Sequence, residues 1–289
     1  MFFEILFSGQ SLWNPPYLIG VICVAVLYII LMKAFTKTKM YQKQPLLFFF
    51  SLFLFYVTIA SPLSAMGHLS FSMHMIQMSI LYFIIPPVFL LGIPESLFQK
   101  VRKISLVRGI SKFFLPPMIS LIVFAVLFFI YHLPIVLDVI LQHSFLHNGY
   151  MLLLIALSFS MWWPLASPDP NQRYCKGQRK RYAFLNGMIL MPACLLFIFS
   201  AFIDGVSNPN LMQLTLELCL PSSSSAQELF PSPFNMKYDQ QLAGIFMLGM
   251  HKFGLKMTSH FGNKVLDPWE EKECSCVLPS FYHHRFMKH

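Results

Sequence analysis

The chain has 289 residues, of which 56% are apolar and only 11% are charged, with a mean hydropathy of +0.60. A soluble domain carries about 25% charged residues, so too few polar side chains remain here to coat a surface in water. The net charge is +9, but the basic residues sit in short loops beside apolar runs, without interleaved exposed aromatics, so no nucleic-acid partner is expected.

The N-terminal segment Met1–Gln10 carries an acid, Glu4, where a cleavable signal would be basic, and no small-residue cleavage site follows it. The first apolar run is therefore expected to stay as an anchor. A hydrocarbon core about 30 Å thick needs about 20 apolar residues in a helix, the form that satisfies its own backbone where water is absent. Six runs qualify: Pro16–Met32, Pro45–Ser61, Met73–Gly92, Phe114–Tyr131, Tyr150–Ser167 and Tyr182–Ile203. None holds Asp, Glu, Lys or Arg in its interior. The expected fold class is an all-α, polytopic integral membrane helix bundle in a lipid bilayer. Pro86-Pro87, Pro116-Pro117 and Pro192 are expected to mark kinks, which a bundle tolerates.

The loops give an orientation. The first holds Lys33, Lys37, Lys39 and Lys43; the third holds Lys100, Arg102, Lys103, Arg108 and Lys112; the fifth holds Arg173, Lys176, Arg179, Lys180 and Arg181. The second loop (62–72) and the fourth (132–148) contain no Lys or Arg. Positive loops stay inside, so the N-terminus and the even loops are expected outside the plasma membrane.

After the sixth run, 204–238 reads as an extended outer loop with Ser222–Ser225, Pro221, Pro231 and Pro233. The run Leu242–Met250 then opens a seventh span that ends at His251 and Lys252. Nine helical residues cover only about 14 Å, half the core. The expected division is a membrane bundle over 1–247 and a polar, basic tail over 248–289 without a helical apolar stripe. Either the tail is read in a shifted frame, or it is a degenerate end, or it is a real variant.

The chemistry-bearing residues cluster at the outer ends of the spans. His68, His74 and Met78 lie in or after the second loop, and His132, His143 and His147 flank the fourth. Of the ten histidines, none lies in a basic loop. His74 and Met78 are four apart, as are His143 and His147, so each pair shares a helix face. Imidazole and thioether together suit copper, especially Cu(I). The bland reading is strong for single residues: methionine in an apolar helix ordinarily packs, and a boundary histidine such as His132 is ordinarily solvated or hydrogen-bonded. The metal-ligand set read from the sequence is His68, His74, Met78, His143 and His147, with His132 next. Trp162-Trp163 reads as an interface belt, and Asp138, Asp204 and Asp239 as solvated carboxylates. Cys23 and Cys194 fall in apolar runs as packing residues, and no disulfide framework is expected among the six cysteines. No metalloprotease, serine-hydrolase or P-loop motif appears, so no enzyme is expected.

Ser61-Pro62, the stretch His68–Met78, Ile85-Pro86-Pro87 and Leu91-Gly92-Ile93-Pro94 resemble the third-helix region of the CtaG-type cytochrome c oxidase assembly factors of Gram-positive bacteria. His143-Ser144-Phe145-Leu146-His147, Trp163-Pro164, Ser167-Pro168-Asp169-Pro170 and Asp239-Gln240-Gln241-Leu242-Ala243-Gly244 resemble the same family, over about residues 10–247. The resemblance implies a plasma-membrane protein that matures a caa-type cytochrome c oxidase, with oxidase subunits as partners and copper delivery or insertion at the outer face as its task. It also implies a seventh span, with a Met-Trp and Pro-Gly pattern that this chain lacks after Met247. Two other classes stay open from the residues alone: a haem-binding redox protein with bis-histidine ligation, and a transporter or permease.

Overall fold

The computed structural model describes residues 13–61, 63–64, 70–104, 107, 115–132, 136, 140, 143–203 and 236–266. Among these, regular structure is helical throughout. Helix α1 spans Pro15–Phe35 and α2 spans Lys43–Ala60. The third apolar run is composite: α3, Phe71–Ser79, passes through a π-helical turn at Ile80–Ile84 into α4, Ile85–Leu91. A short α5, Glu95–Val101, follows, then α6, Pro117–Tyr131, and α7, Ser144–Ala166. The last two are α8, Lys176–Ile203, and α9, Met236–Val265. Each of the six apolar runs coincides with helix among its described residues. Pro15–Phe35, Lys43–Ala60, Phe71–Leu91 and Phe145–Ala166 are long and apolar enough to cross a membrane, and Pro117–Tyr131 is a shorter apolar helix.

The composite third segment is the hub. Its hydrophobic window is 78% buried, against 11% for α1, whose Ile19, Ile22, Val26, Leu27 and Ile30 face outward. Helix α1 lies beside α2 and α5, α2 packs on α4, α7 on α4 and α6, α8 on α6 and α9, and α9 on α3. The crossing of α2 and α4 is close because Gly92 has no side chain: a Cβ there would stand 2.6 Å from the Phe48 backbone nitrogen. The Tyr28 hydroxyl donates to the Gly92 carbonyl at 2.8 Å, tying α1 to the same point.

The π turn follows from the prolines. Pro86 has no N–H, so it cannot donate to the Tyr82 carbonyl one turn earlier, and Pro87 cannot donate to that of Phe83. The backbone widens, and the Ile85 amide bonds back to the Ile80 carbonyl. The Tyr82 carbonyl instead accepts from Ser158 Oγ at 2.5 Å and Trp162 Nε1 at 3.0 Å, both on α7. The Phe83 carbonyl faces Gly254 of α9, where a Cβ would stand 2.5 Å away. Trp162 is therefore a buried donor at 0% exposure, not the interface residue its position suggested. Its neighbour Trp163 donates to Gln172 Oε1 at 2.6 Å.

Helix α9 departs from expectation. It continues through His251 to Val265, 30 residues and about 45 Å, and Met247 coincides with no break in it. Its buried face carries Ala243, Met247, His251, Gly254, Thr258 and Gly262, spaced three and four apart. That is a helical stripe through the segment read as a polar tail, and Gly, Thr and His on it concealed it. His251 is buried and meets Asn186 Oδ1 of α8 at 2.8 Å. Near the start of α9, Gly244 sits where a Cβ would meet the Cys194 carbonyl at 2.8 Å. Cys23 is exposed and Cys194 buried, both as free thiols. Cys175 is disulfide-bonded, which no cysteine spacing anticipated.

The two ends of the bundle differ chemically. At one end Arg102, after α5, pairs with Asp169, after α7, at 3.1 Å, and Arg179 reaches Asn263 at the far end of α9. Asp169 is buried and accepts from the Asn171 amide, so the Ser167–Pro170 turn is a structured cap. At the other end the start of α1 meets the end of α2, with the Asn14 amide on the Ala60 carbonyl at 3.3 Å. There too lie the first turns of α3, α7 and α9 and the end of α6.

Candidate functional site

The histidine end is built where α3 begins. Ser70 is its N-cap and accepts from the Met73 amide at 3.4 Å. A second cap comes from α9. Asp239, 3% exposed, accepts from the Phe71 amide at 2.7 Å, the Ser72 amide at 3.2 Å, Ser70 Oγ at 2.7 Å and Ser72 Oγ at 2.5 Å. The first amides of a helix have no partner within it, and its N-terminal dipole favours an anion. Asp239 is thus no solvated loop carboxylate. Its partners lie about 170 positions away in sequence, so no local pattern could reveal the role.

One turn into α3, His74 is buried, and its ring faces that of His132 at 6.5 Å between centroids and 66° between planes. His132 stands one residue past the end of α6. Its Nδ1 donates to the Phe128 carbonyl at 2.6 Å, which leaves the lone pair on Nε2, the tautomer a metal ligand needs. Burial lowers its imidazole to about 4, against the opposing effect of that backbone bond, so the ring is neutral near neutral pH. Phe71 and Phe128 wall the ring at 6.5 and 4.6 Å. Tyr131 extends the cluster toward α7: its hydroxyl lies 3.3 Å from His147 Nε2. Its ring stacks on Tyr150 at 5.5 Å, and the Tyr150 hydroxyl donates to the Leu127 carbonyl at 2.6 Å.

Of the residues read from the sequence as ligands, the structure brings His74 beside His132 and links His147 to them through Tyr131. His143 is exposed at the N-cap of α7, with its carbonyl accepting from the His147 amide at 3.0 Å. Met78 is 4% exposed and belongs to the main hydrophobic core. His68 lies outside the described residues, as do Asp138, Asp204 and the histidines after 266. The sequence ranked His132 below the paired histidines because a lone boundary histidine is ordinarily solvated or hydrogen-bonded. Its pairing with His74 is tertiary.

Two imidazoles on one ion place their centroids at most roughly 6.4 Å apart, given metal–nitrogen bonds of about 2.0 Å. The His74–His132 separation of 6.5 Å lies just beyond that limit, with the ring planes 66° apart. Among the described residues no group of three or more His, Cys, Asp or Glu side chains converges as a metal site.

Long apolar helices, buried carbonyls met by donors from other helices, and four histidines, His74, His132, His143 and His147, gathered at one end define a helical membrane protein. The family model for the cytochrome c oxidase caa3 assembly factor matches residues 26–255. The chain belongs to that family, whose role is accessory to oxidase assembly. No curated protein and no solved structure matches it.

Proposed function

We propose that this protein assists assembly of a caa3-type cytochrome c oxidase by passing copper to an oxidase subunit at the outer face of the plasma membrane. The family match over 26–255 carries the assembly role. The copper role rests on the facing imidazoles of His74 and His132, with His147 one hydroxyl away. Copper here is cargo, and no catalysis is involved. His74 and His132 hold it first, and His147 and His143, nearer solvent, receive or supply it. Neutral imidazole binds Cu(I) without a charge change in the protein, which suits release to a partner.

The orientation in this reading has the N-terminus and the histidine end outside and the basic loops inside. Six apolar segments cross the bilayer, and α9 crosses as the seventh. Its two ends support that reading: Asp239 contacts Ser70 at the histidine end, and Asn263 contacts Arg179 at the basic end.

The test is a deletion strain. Loss of the protein is expected to lower cytochrome c oxidase activity and leave quinol oxidases without a dinuclear copper centre intact. Equal loss of every terminal oxidase indicates haem supply instead, and normal caa3 activity removes the assembly role.

A further inference from the structure

We infer that Asp239 is a positioning residue for the histidine pair: by capping α3 from α9, it sets the turn that carries His74 in register against His132. The inference rests on the copper reading for its consequence, but its geometry stands without it. One buried carboxylate makes four hydrogen bonds to three consecutive residues, Ser70, Phe71 and Ser72. Those residues are coupled to the histidines in two ways. The Ser70 carbonyl accepts from the His74 amide at 3.0 Å, while its hydroxyl donates to Asp239. Phe71, held by its amide on Asp239, packs its ring edge-on against His132 at 6.5 Å. Asp239 thus fixes both the turn bearing one imidazole and the wall behind the other.

The anchor is itself anchored. Helix α9 approaches α8 closely at Gly244, where even a Cβ would collide with the Cys194 carbonyl and Ile198. Gln240, beside Asp239, is also buried. The carboxylate is therefore presented by a packed helix, not by a loop. A carboxylate accepts at all four contacts. An amide in its place offers one oxygen; with that oxygen at the Oδ1 position, its N–H₂ meets the Phe71 amide, a donor that cannot accept. Groups that orient a metal ligand without touching the metal typically change affinity 10–100-fold when removed.

The experiment uses the full chain in detergent, with Cu(I) as the probe in competition against a colorimetric chelator, and amide exchange read over residues 70–78. Three variants are compared with the unaltered chain: Asp239→Asn, Ser72→Ala, which removes a single hydroxyl contact, and Asp169→Asn. The last is a buried cap carboxylate at the opposite end and controls for general destabilisation. Asp239→Asn is expected to raise the Cu(I) dissociation constant at least tenfold and to speed exchange at Phe71–His74 at least tenfold. Ser72→Ala is expected to fall between it and the unaltered chain, and carries the test if Asp239→Asn does not fold. Asp169→Asn is expected to leave both readouts at the histidine end unchanged. Cu(I) affinity within threefold of the unaltered chain in Asp239→Asn overturns the inference, as does an equal loss in Asp169→Asn. An unaltered chain that takes up no Cu(I) sinks the copper reading alone. Exchange at Phe71–His74 then decides whether Asp239 holds that turn, and unchanged exchange overturns it.

Discussion

Removing both donors to the Tyr82 carbonyl is expected to cost more than the sum of removing each. Ser158 and Trp162 lie four apart on one face of α7, both at 0% exposure, and both donate to that single carbonyl. With Ser158→Ala the indole still satisfies the oxygen, so the loss is about 1 kcal/mol, the net worth of one bond. Trp162→Phe loses a bond of similar worth plus ring atoms from the core, roughly 2–3 kcal/mol in total. The double variant leaves a carbonyl that Pro86 cannot serve, buried among apolar side chains, and adds a desolvation penalty of about 1–3 kcal/mol. The coupling term should therefore be at least about 1 kcal/mol. The assay is a double-mutant cycle of unfolding by SDS titration in mixed micelles, followed by circular dichroism. Pro86→Ala supplies the missing N–H one turn on, and in the double-variant background it should recover about 1 kcal/mol. Additivity within about 0.5 kcal/mol, or no recovery with Pro86→Ala, refutes the reasoning.

The close approach of α9 to the Phe83 carbonyl predicts that Gly254→Ala destabilises the bundle by about 1–3 kcal/mol in the same assay, because backbone, not a flexible side chain, blocks the new Cβ. Gly20→Ala, with nothing within 4 Å of its Cβ, should change stability by under about 0.5 kcal/mol. Oxidase maturation should fall further with His132→Ala than with His143→Ala, since His132 faces His74 and His143 is exposed; complementation of the deletion strain measures it, and the reverse order contradicts the pairing. Cysteines placed at Lys39, Lys103 and Lys180 should react with a membrane-impermeant maleimide only after the cells are opened, and one at His143 should react in intact cells. Outside labelling at Lys103 overturns the orientation.

Much of the helical layout was legible because a span is a one-dimensional signal. Runs such as Pro16–Met32 and Pro45–Ser61 must be apolar on nearly all sides, and the structure places α1 and α2 over them. Helix α9 was not legible in the same way. Counting apolar residues in a row stops at His251, whereas the 3.6-residue period continues through His251, Gly254, Thr258 and Gly262. At the histidine end, His74 and His132 were both named from the sequence, because a histidine at the end of an apolar run is a local signal. The juxtaposition of the two and the capping role of Asp239 were not: each is a contact across the bundle, between His74 and His132 in one case and with Ser70, Phe71 and Ser72 in the other. Trp162 failed for the same reason, since an indole near the end of an apolar run is ordinarily an interface residue unless a distant carbonyl needs its proton.

Both departures from regular backbone in the third segment share one cause, and it explains why α7 and α9 sit where they do. Where water is absent, a carbonyl or amide left unpaired by a proline or a helix start must be met by protein. The Tyr82 carbonyl draws Ser158 and Trp162 from α7, and the first amides of α3 draw Asp239 from α9. The Phe83 carbonyl admits only glycine opposite it, which brings α9 within touching distance at Gly254. Hydrophobic packing alone cannot choose among helices, because lipid tails are as apolar as leucine. Backbone groups that need particular partners can. The residues that fix the helix order are therefore the same ones that fix the depth and rotation of α3. His74 inherits its position from them.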